Sequence, residues 1–211
     1  MDLGIAGRKA IVCASSKGLG KGCARSLALA GCEVVINGRN AEVLAATARE
    51  LAATGARIIP VVADVSTRAG QDAILAACPD PDILVNNNGG PPPKGFRDIG
   101  REAMIDGVIQ NMITPIELVQ RVIDGMVQRG FGRIINITSA SVRTPLPGLD
   151  LSSGARAGLT AFLAGVAREV AHANVTINAI LPGAFDTDRL ASGTKRIAEQ
   201  RGVDPATVTK E

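Results

Sequence analysis

Short β-branched apolar runs alternate along the chain with longer stretches whose apolar positions recur at helical spacing. Lys9–Ala14 predicts a first strand, and Gly18–Ala30 a helix with Cys23, Leu27 and Ala30 on one face. Glu33–Asn37 predicts a second strand and Ala41–Ala53 a second helix. Arg57–Ala63 predicts a third strand, weakened by Pro60. A helix capped by Ser66 runs from there to Ala77, and Asp82–Asn86 predicts the fourth strand. Arg101–Arg129 is a long helical stretch that Pro115 must kink or interrupt. Arg133–Thr138 is the fifth strand, Ser153–Ala171 a helix of small and apolar residues, and Val175–Leu181 the sixth strand. The tail from Asp188 is polar, with Asp204-Pro205 opening one further possible helix. Strands that are apolar throughout belong to a parallel sheet with helices on both faces. Right-handed crossovers then give a doubly wound α/β sheet of Rossmann type, with about six strands in the order 3-2-1-4-5-6. No linker, repeat or low-complexity tract divides the chain, so residues 1–211 are expected to form a single domain.

Composition narrows the function class. The chain has 211 residues, 46% of them hydrophobic and 20% charged, which excludes a disordered protein. No apolar run approaches the roughly 18 residues of a membrane span. Met1-Asp2-Leu3-Gly4 carries no signal peptide. A net charge of +3 is too small an excess to argue for nucleic acid. Cys13, Cys23, Cys32 and Cys78 are spaced 10, 9 and 46 apart, which fits no metal or CxxC pattern. They read as reduced core thiols in a cytoplasmic protein. There is no Trp and no Tyr.

The first strand runs into Cys13-Ala14-Ser15-Ser16-Lys17-Gly18-Leu19-Gly20. Glycines here let backbone approach a phosphate at the N-terminus of the next helix. The GxGxxG spacing is absent, and a glycine-rich turn without a ligand is the plain alternative. Further landmarks follow in order: Asn86-Asn87-Asn88-Gly89 after the fourth strand, Asn111 in the long helix, Ser139 after the fifth strand, and Pro182-Gly183 after the sixth. In that order and spacing the chain resembles the short-chain dehydrogenases/reductases over residues 5–190. Its nearest likeness is to the 3-oxoacyl-acyl-carrier-protein reductase-like branch. The resemblance implies cofactor contacts from Ala14, Ser16, Lys17, Gly18, Leu19, Gly20, Arg39, Asp64, Val65, Asn87, Gly89, Pro182, Gly183 and Thr187. It implies a catalytic group at Asn111, Ser139, Ser152 and Arg156.

The departures from that pattern matter more than the matches. The family's glycine motif is written TGxxxGxG; Cys13 and Ala14 stand at its first two places, while Gly18 and Gly20 are kept. In NNAG the alanine has become Asn88. The YxxxK pair falls on Ser152-Ser153-Gly154-Ala155-Arg156, so Ser replaces Tyr and Arg replaces Lys. The family's reaction needs an acid that protonates a ketone oxygen as hydride arrives. A phenol of pKa about 10 can do this beside an ammonium, whereas an aliphatic alcohol is a far weaker acid. Arginine keeps its charge and takes no part in a proton relay. Asp150, Arg143 and Asp186 lie in loops but make poor replacement acids. His172, the only histidine, fits a helix C-terminus, and Met104, Met112 and Met126 fit packing.

Cofactor choice follows from charge. A carboxylate ending the second strand favours the ribose 2′-hydroxyl, and a cation favours a 2′-phosphate. Here that strand ends Asn37-Gly38-Arg39, and Lys17 sits in the glycine turn, so NADP(H) is expected over NAD(H). Two solvated charges are the alternative for this pair. Asp64-Val65 resembles the family's adenine-contacting segment; a bare Asp would simply end a strand.

The chain is therefore expected to be an NADP(H)-dependent oxidoreductase acting on a small carbonyl substrate, impaired by loss of Tyr and Lys. The alternative is a non-catalytic dinucleotide-binding or interaction protein on the same fold. The loops Pro91–Arg97 and Thr144–Leu149 and the tail after Thr187 should shape the substrate site. Partners among nucleic acids or membranes are not expected. Ala157, Thr160, Ala161, Ala164 and Ala171 exceed what one face of a monomer needs, so a homodimer or homotetramer is expected. The family's seventh strand and closing helix are not legible after Leu181, and the chain reads as truncated there.

Overall fold

The computed structural model describes residues 2–210, with only the backbone for Asp188, Arg189, Arg196, Gln200 and Lys210. The described residues fall into two compact units, one up to Leu181 and one from Pro182 onward.

The first unit is built on a six-stranded sheet in the order β3-β2-β1-β4-β5-β6. The strands are β1 (Lys9–Val12), β2 (Glu33–Gly38), β3 (Ile58–Val62), β4 (Ile83–Asn86), β5 (Gly132–Ile137) and β6 (Val175–Ile180). Every pairing is parallel. The helices are α1 (Gly18–Leu29), α2 (Ala41–Ala52), α3 (Arg68–Ala77), α4 (Arg101–Val108), α5 (Thr114–Gln128) and α6 (Asp150–Val170).

Side chains alternate across the sheet, and so does the core. Ala10, Val12, Val34, Ile36, Ile83 and Val85 point to one face, where Ala24 and Ala28 of α1 and Leu44 and Leu51 of α2 cover them. Ile11, Val35, Leu84 and Ile134 point to the other, under Ile74 of α3, Leu118, Val122 and Met126 of α5, and Leu159 and Leu163 of α6. The buried line of α1 is Gly20, Ala24 and Ala28, one turn apart. The expected face of Cys23 and Leu27 lies only on its flank, and Ala30 is the C-cap. Small residues win the central line because they bring the helix close to the sheet. Pro60 is tolerated because β3 is an edge strand, where a missing N–H breaks no second ladder.

Several boundaries differ from the sequence reading. Thr67, not Ser66, caps α3: its hydroxyl accepts from Gly70 N at 3.0 Å. Ser66 is already engaged by Asp64, to which its hydroxyl donates at 2.6 Å. The long stretch is two helices, α4 and α5, joined by a π-helical turn over Ile109–Ile113, with Pro115 in the first turn of α5. In the second unit the polar tail is helical, as α7 (Asp188–Arg201) and α8 (Pro205–Lys210). Thr187 caps α7 by accepting from Leu190 N at 3.4 Å, and Gly202 at φ +64° ends it in the left-handed conformation. No helix among the described residues is long and apolar enough to cross a membrane.

Candidate dinucleotide and carbonyl site

The turn after β1 is held from both neighbouring strands. Ala14 N donates to Asn37 Oδ1 at 2.7 Å, and Ser15 N to Asn37 O at 2.8 Å. The buried Ser15 hydroxyl donates to Val12 O at 2.7 Å and accepts from Asn37 N at 3.0 Å. From the β4 side, Asn87 Nδ2 donates to Cys13 O at 3.2 Å and Ala14 O at 3.1 Å. Thr47 of α2 donates to Ser16 O at 2.7 Å. Ala14 sits at φ +43°, a left-handed conformation that explains why glycine suits this place better. Gly20 is needed for space: a Cβ there would lie 2.5 Å from Ala14 O.

This turn delivers α1 with an open N-terminus. Asn40 and Thr67 cap α2 and α3 through their side chains, whereas Lys17 at the N-cap of α1 supplies no such bond. The first turn of α1 contains no acid. A first turn without a side-chain cap, the positive end of the helix dipole and an exposed lysine make a seat for an anion such as a pyrophosphate. The residues thus fit a dinucleotide. Lys17 and Gly18 are exposed, Ser16 and Leu19 are half-buried, and a Cβ on Gly89 would meet nothing within 4 Å.

At the end of β2, Arg39 is 82% exposed and stands 3.7 Å from Asp64 Oδ2. Asp64 Oδ1 accepts from the Ser66 hydroxyl at 2.6 Å and from Ser66 N at 3.0 Å. The Ser66 hydroxyl above all, with its N–H and Arg39 adding to it, outweighs desolvation and holds the Asp64 carboxyl below its ordinary pKa. Val65 is buried in the core.

On the carbonyl side, Ser139 follows β5 and its hydroxyl accepts from both Ser141 N at 3.2 Å and Ser141 Oγ at 2.8 Å. Asn111 lies in the π turn and is 2% exposed. Its Nδ2 donates to Gly107 O at 3.3 Å, and its Oδ1 has no hydrogen-bond partner. Arg156 is 9% exposed; its guanidinium donates to Ile137 O at 2.6 Å and to Ser152 Oγ at 3.1 Å. Ser152 and Arg156 are one helical turn apart on α6 and hydrogen-bonded, as their spacing implies.

A small, half-open cleft gathers Asn87, Asn111, Arg156 and Val65 from the expected site, with Ile137 at the end of β5. Ser139 and Ser152 do not line it. Sequence reasoning missed Asn86, Asn88, Gln110 and Thr114 on its wall. Asn86 Oδ1 and Thr114 Oγ1, like Asn111 Oδ1, are buried without a partner, so the wall is under-satisfied in hydrogen bonds. The Asn86-Asn87-Asn88 run was the available signal for the first and third asparagines. Pro182, Gly183 and Thr187 belong to the second unit, where Thr187 caps α7.

The family model described as short chain dehydrogenase matches residues 8–197. This chain belongs to that family. It is 30% identical over 214 residues to an uncharacterized oxidoreductase of Bacillus subtilis, YvrD, covering 100% of this chain and 81% of the relative. It is 30% identical over 206 residues to the 3-oxoacyl-[acyl-carrier-protein] reductase of Aquifex aeolicus, covering 95% and 83%. Among solved structures, L-sorbose reductase from Gluconobacter frateurii, complexed with NADPH and L-sorbose, superposes with a TM-score of 0.91 at 29% identity, covering 98% of this chain and 81% of that one. The short chain dehydrogenase assignment agrees with the sheet order and with the open α1 terminus.

Proposed function

We propose that this short chain dehydrogenase binds NADP(H) in preference to NAD(H), and that its reduction of 3-oxoacyl-type ketones is impaired at proton transfer. The observation that carries the reading is the network at the end of β5. The cation on α6 is an arginine bonded to Ile137 O and to Ser152, and there is no phenol anywhere in the chain. Ser16, Lys17, Gly18, Leu19 and Gly20, on the turn that begins at Ala14, would hold the pyrophosphate half, with Arg39 at a 2′-phosphate. Asp64 and Val65 would border the adenine, and Asn87 and Gly89 the remainder. The bound cofactor supplies the hydride. Asn111 and Ser139 polarise the carbonyl; Ser152 offers only an aliphatic hydroxyl, and Arg156 stays charged throughout. Loss of a positioned acid lowers rates by roughly 10²–10⁴. The named activities of the Aquifex and Gluconobacter proteins support the cofactor and substrate class.

The second reading, a protein that binds the dinucleotide without turning over, draws on the same network. The test is titration of NADPH and NADH, with wild type and Arg39→Ala, beside NADPH oxidation against a panel of ketones. The proposal expects tighter NADPH binding and slow oxidation. Equal affinity for both cofactors refutes the preference, turnover near 10 per second, an ordinary enzyme's median, refutes the impairment, and binding with no oxidation selects the second reading. Exposed small and apolar positions on α6 (Ala157, Ala161, Phe162 and Ala164) support a homodimer or homotetramer, which light scattering decides. The four free cysteines support a cytoplasmic location.

A further inference from the structure

A proline inside a helical stretch leaves a carbonyl without its donor. In the π turn the N–H of Thr114 donates to Ile109 O, five residues back. The same spacing would give Gln110 O the N–H of residue 115, and residue 115 is proline. A side chain from another element fills that place. Asn88, in the loop after β4, donates from Nδ2 to Gln110 O at 2.9 Å. Its Oδ1 accepts from Gly89 N at 2.8 Å, so the amide is held at both ends with its donor toward the helix.

The next residue after Gln110 is Asn111, which lines the same cavity as Asn88, Gln110 and Arg156 and whose buried Oδ1 has no hydrogen-bond partner. We infer that Asn88 is the positioning residue for Asn111: its amide replaces the N–H that Pro115 lacks and so fixes the π turn that presents Asn111 to the cavity. An alanine at position 88 has no donor to offer. The bond also ties the loop after β4, which carries Asn87 and Gly89, to the helix that carries Asn111. The consequence for carbonyl chemistry rests on the function proposed above; the positioning itself does not.

The test is a double-mutant cycle of Asn88→Ala with Pro115→Ala, read by amide hydrogen exchange. Pro115→Ala restores an N–H that can reach Gln110 O. In the native background, Asn88→Ala should speed exchange of the Thr114 amide about tenfold, the equivalent of one hydrogen bond. In the Pro115→Ala background it should leave that exchange unchanged. Amides of β1 and β2 should exchange as in the wild type in all four proteins, which separates a local loss from general destabilisation. Asn88→Asp keeps the size and removes the donor. It should match Asn88→Ala, and it serves if the alanine variant folds poorly. With any ketone that the wild type reduces, Asn88→Ala should lower kcat at unchanged KM for the ketone, and Pro115→Ala should restore it. Equal effects of Asn88→Ala in both backgrounds, or no change at Thr114, would overturn the inference. Full coupling at Thr114 with no ketone turned over would uphold the positioning and fault the proposed function instead.

Discussion

Adding one methyl group at Gly20 probes how firmly the turn after β1 is held. A Cβ there would lie 2.5 Å from Ala14 O, 2.7 Å from Asn87 Nδ2 and 2.9 Å from Ser15 Cα. Two of these are backbone atoms of a turn pinned by Asn37 and Asn87, so neither can swing aside. Overpacking of this kind costs about 1–3 kcal/mol. Asn87 must also surrender one or both of its bonds to the turn, at about 1 kcal/mol each. Replacing a helical glycine with alanine returns up to about 1 kcal/mol. The net expectation for Gly20→Ala is a loss of about 1–4 kcal/mol. Gly22 lies on the same helix with nothing within 4 Å of its Cβ position. Gly22→Ala should therefore gain about 0.5–1 kcal/mol. Urea unfolding of both variants measures the difference, with m unchanged. NADPH titration should show weakened binding for Gly20→Ala alone. If the two alanine variants prove equally stable, the packing argument for the turn is wrong.

Three further outcomes are expected. Because hydrogen bonds depress the Asp64 pKa, the stability this group lends is fully present above the ordinary aspartate value of about 3.9 and is lost as pH falls through the lower folded value. Ser66→Ala should raise the Asp64 midpoint in an NMR titration, and an unmoved midpoint contradicts the assignment. Burial raises the Cys13 thiol to about 12 and the Cys78 thiol to about 11, so iodoacetamide at pH 8 should label half-buried Cys23 first; prompt labelling of Cys13 would refute its burial. Ala14→Gly should relieve about 1–2 kcal/mol of left-handed strain against about 0.4–1 kcal/mol of added unfolded-chain entropy, a small net gain that calorimetry detects; a lower Tm counts against it.

Much of the architecture was legible because the strands are short apolar runs and the helices carry periodic faces. β1, β2 and β4 fall where those runs predict them, and the sheet order follows from the alternation. What escaped was decided by competition between neighbours. Ser66 and Thr67 are both capping residues, and only the prior claim of Asp64 on Ser66 leaves the cap to Thr67. α7 is polar overall and does not read as a core-covering helix, although its caps, Thr187 and Gly202, were local signs of it. In the site, counting placed Ser152 and Arg156 a helical turn apart, and the bond between them is there. Pro115 signalled an interruption but not its kind. The places of Asn88 and Thr114 on the cavity wall depend on the π turn, which no local pattern announces.

The sheet order has a consequence in time. β1 is synthesised first yet occupies the middle of the sheet, between β2 and β4. Lys9 N bonds to Asp82, a residue 73 positions later in the chain. At ribosomal speeds of about 5–20 residues per second, one side of β1 waits about 4–15 seconds for its partner. Through that interval the nascent chain carries Ala10, Ile11, Val12 and Cys13 beside an unfilled edge, with neither proline nor charge among them. That short run is where premature association would begin. Slowing translation between α2 and β4 should therefore lower soluble yield, while slowing it after β5 should not.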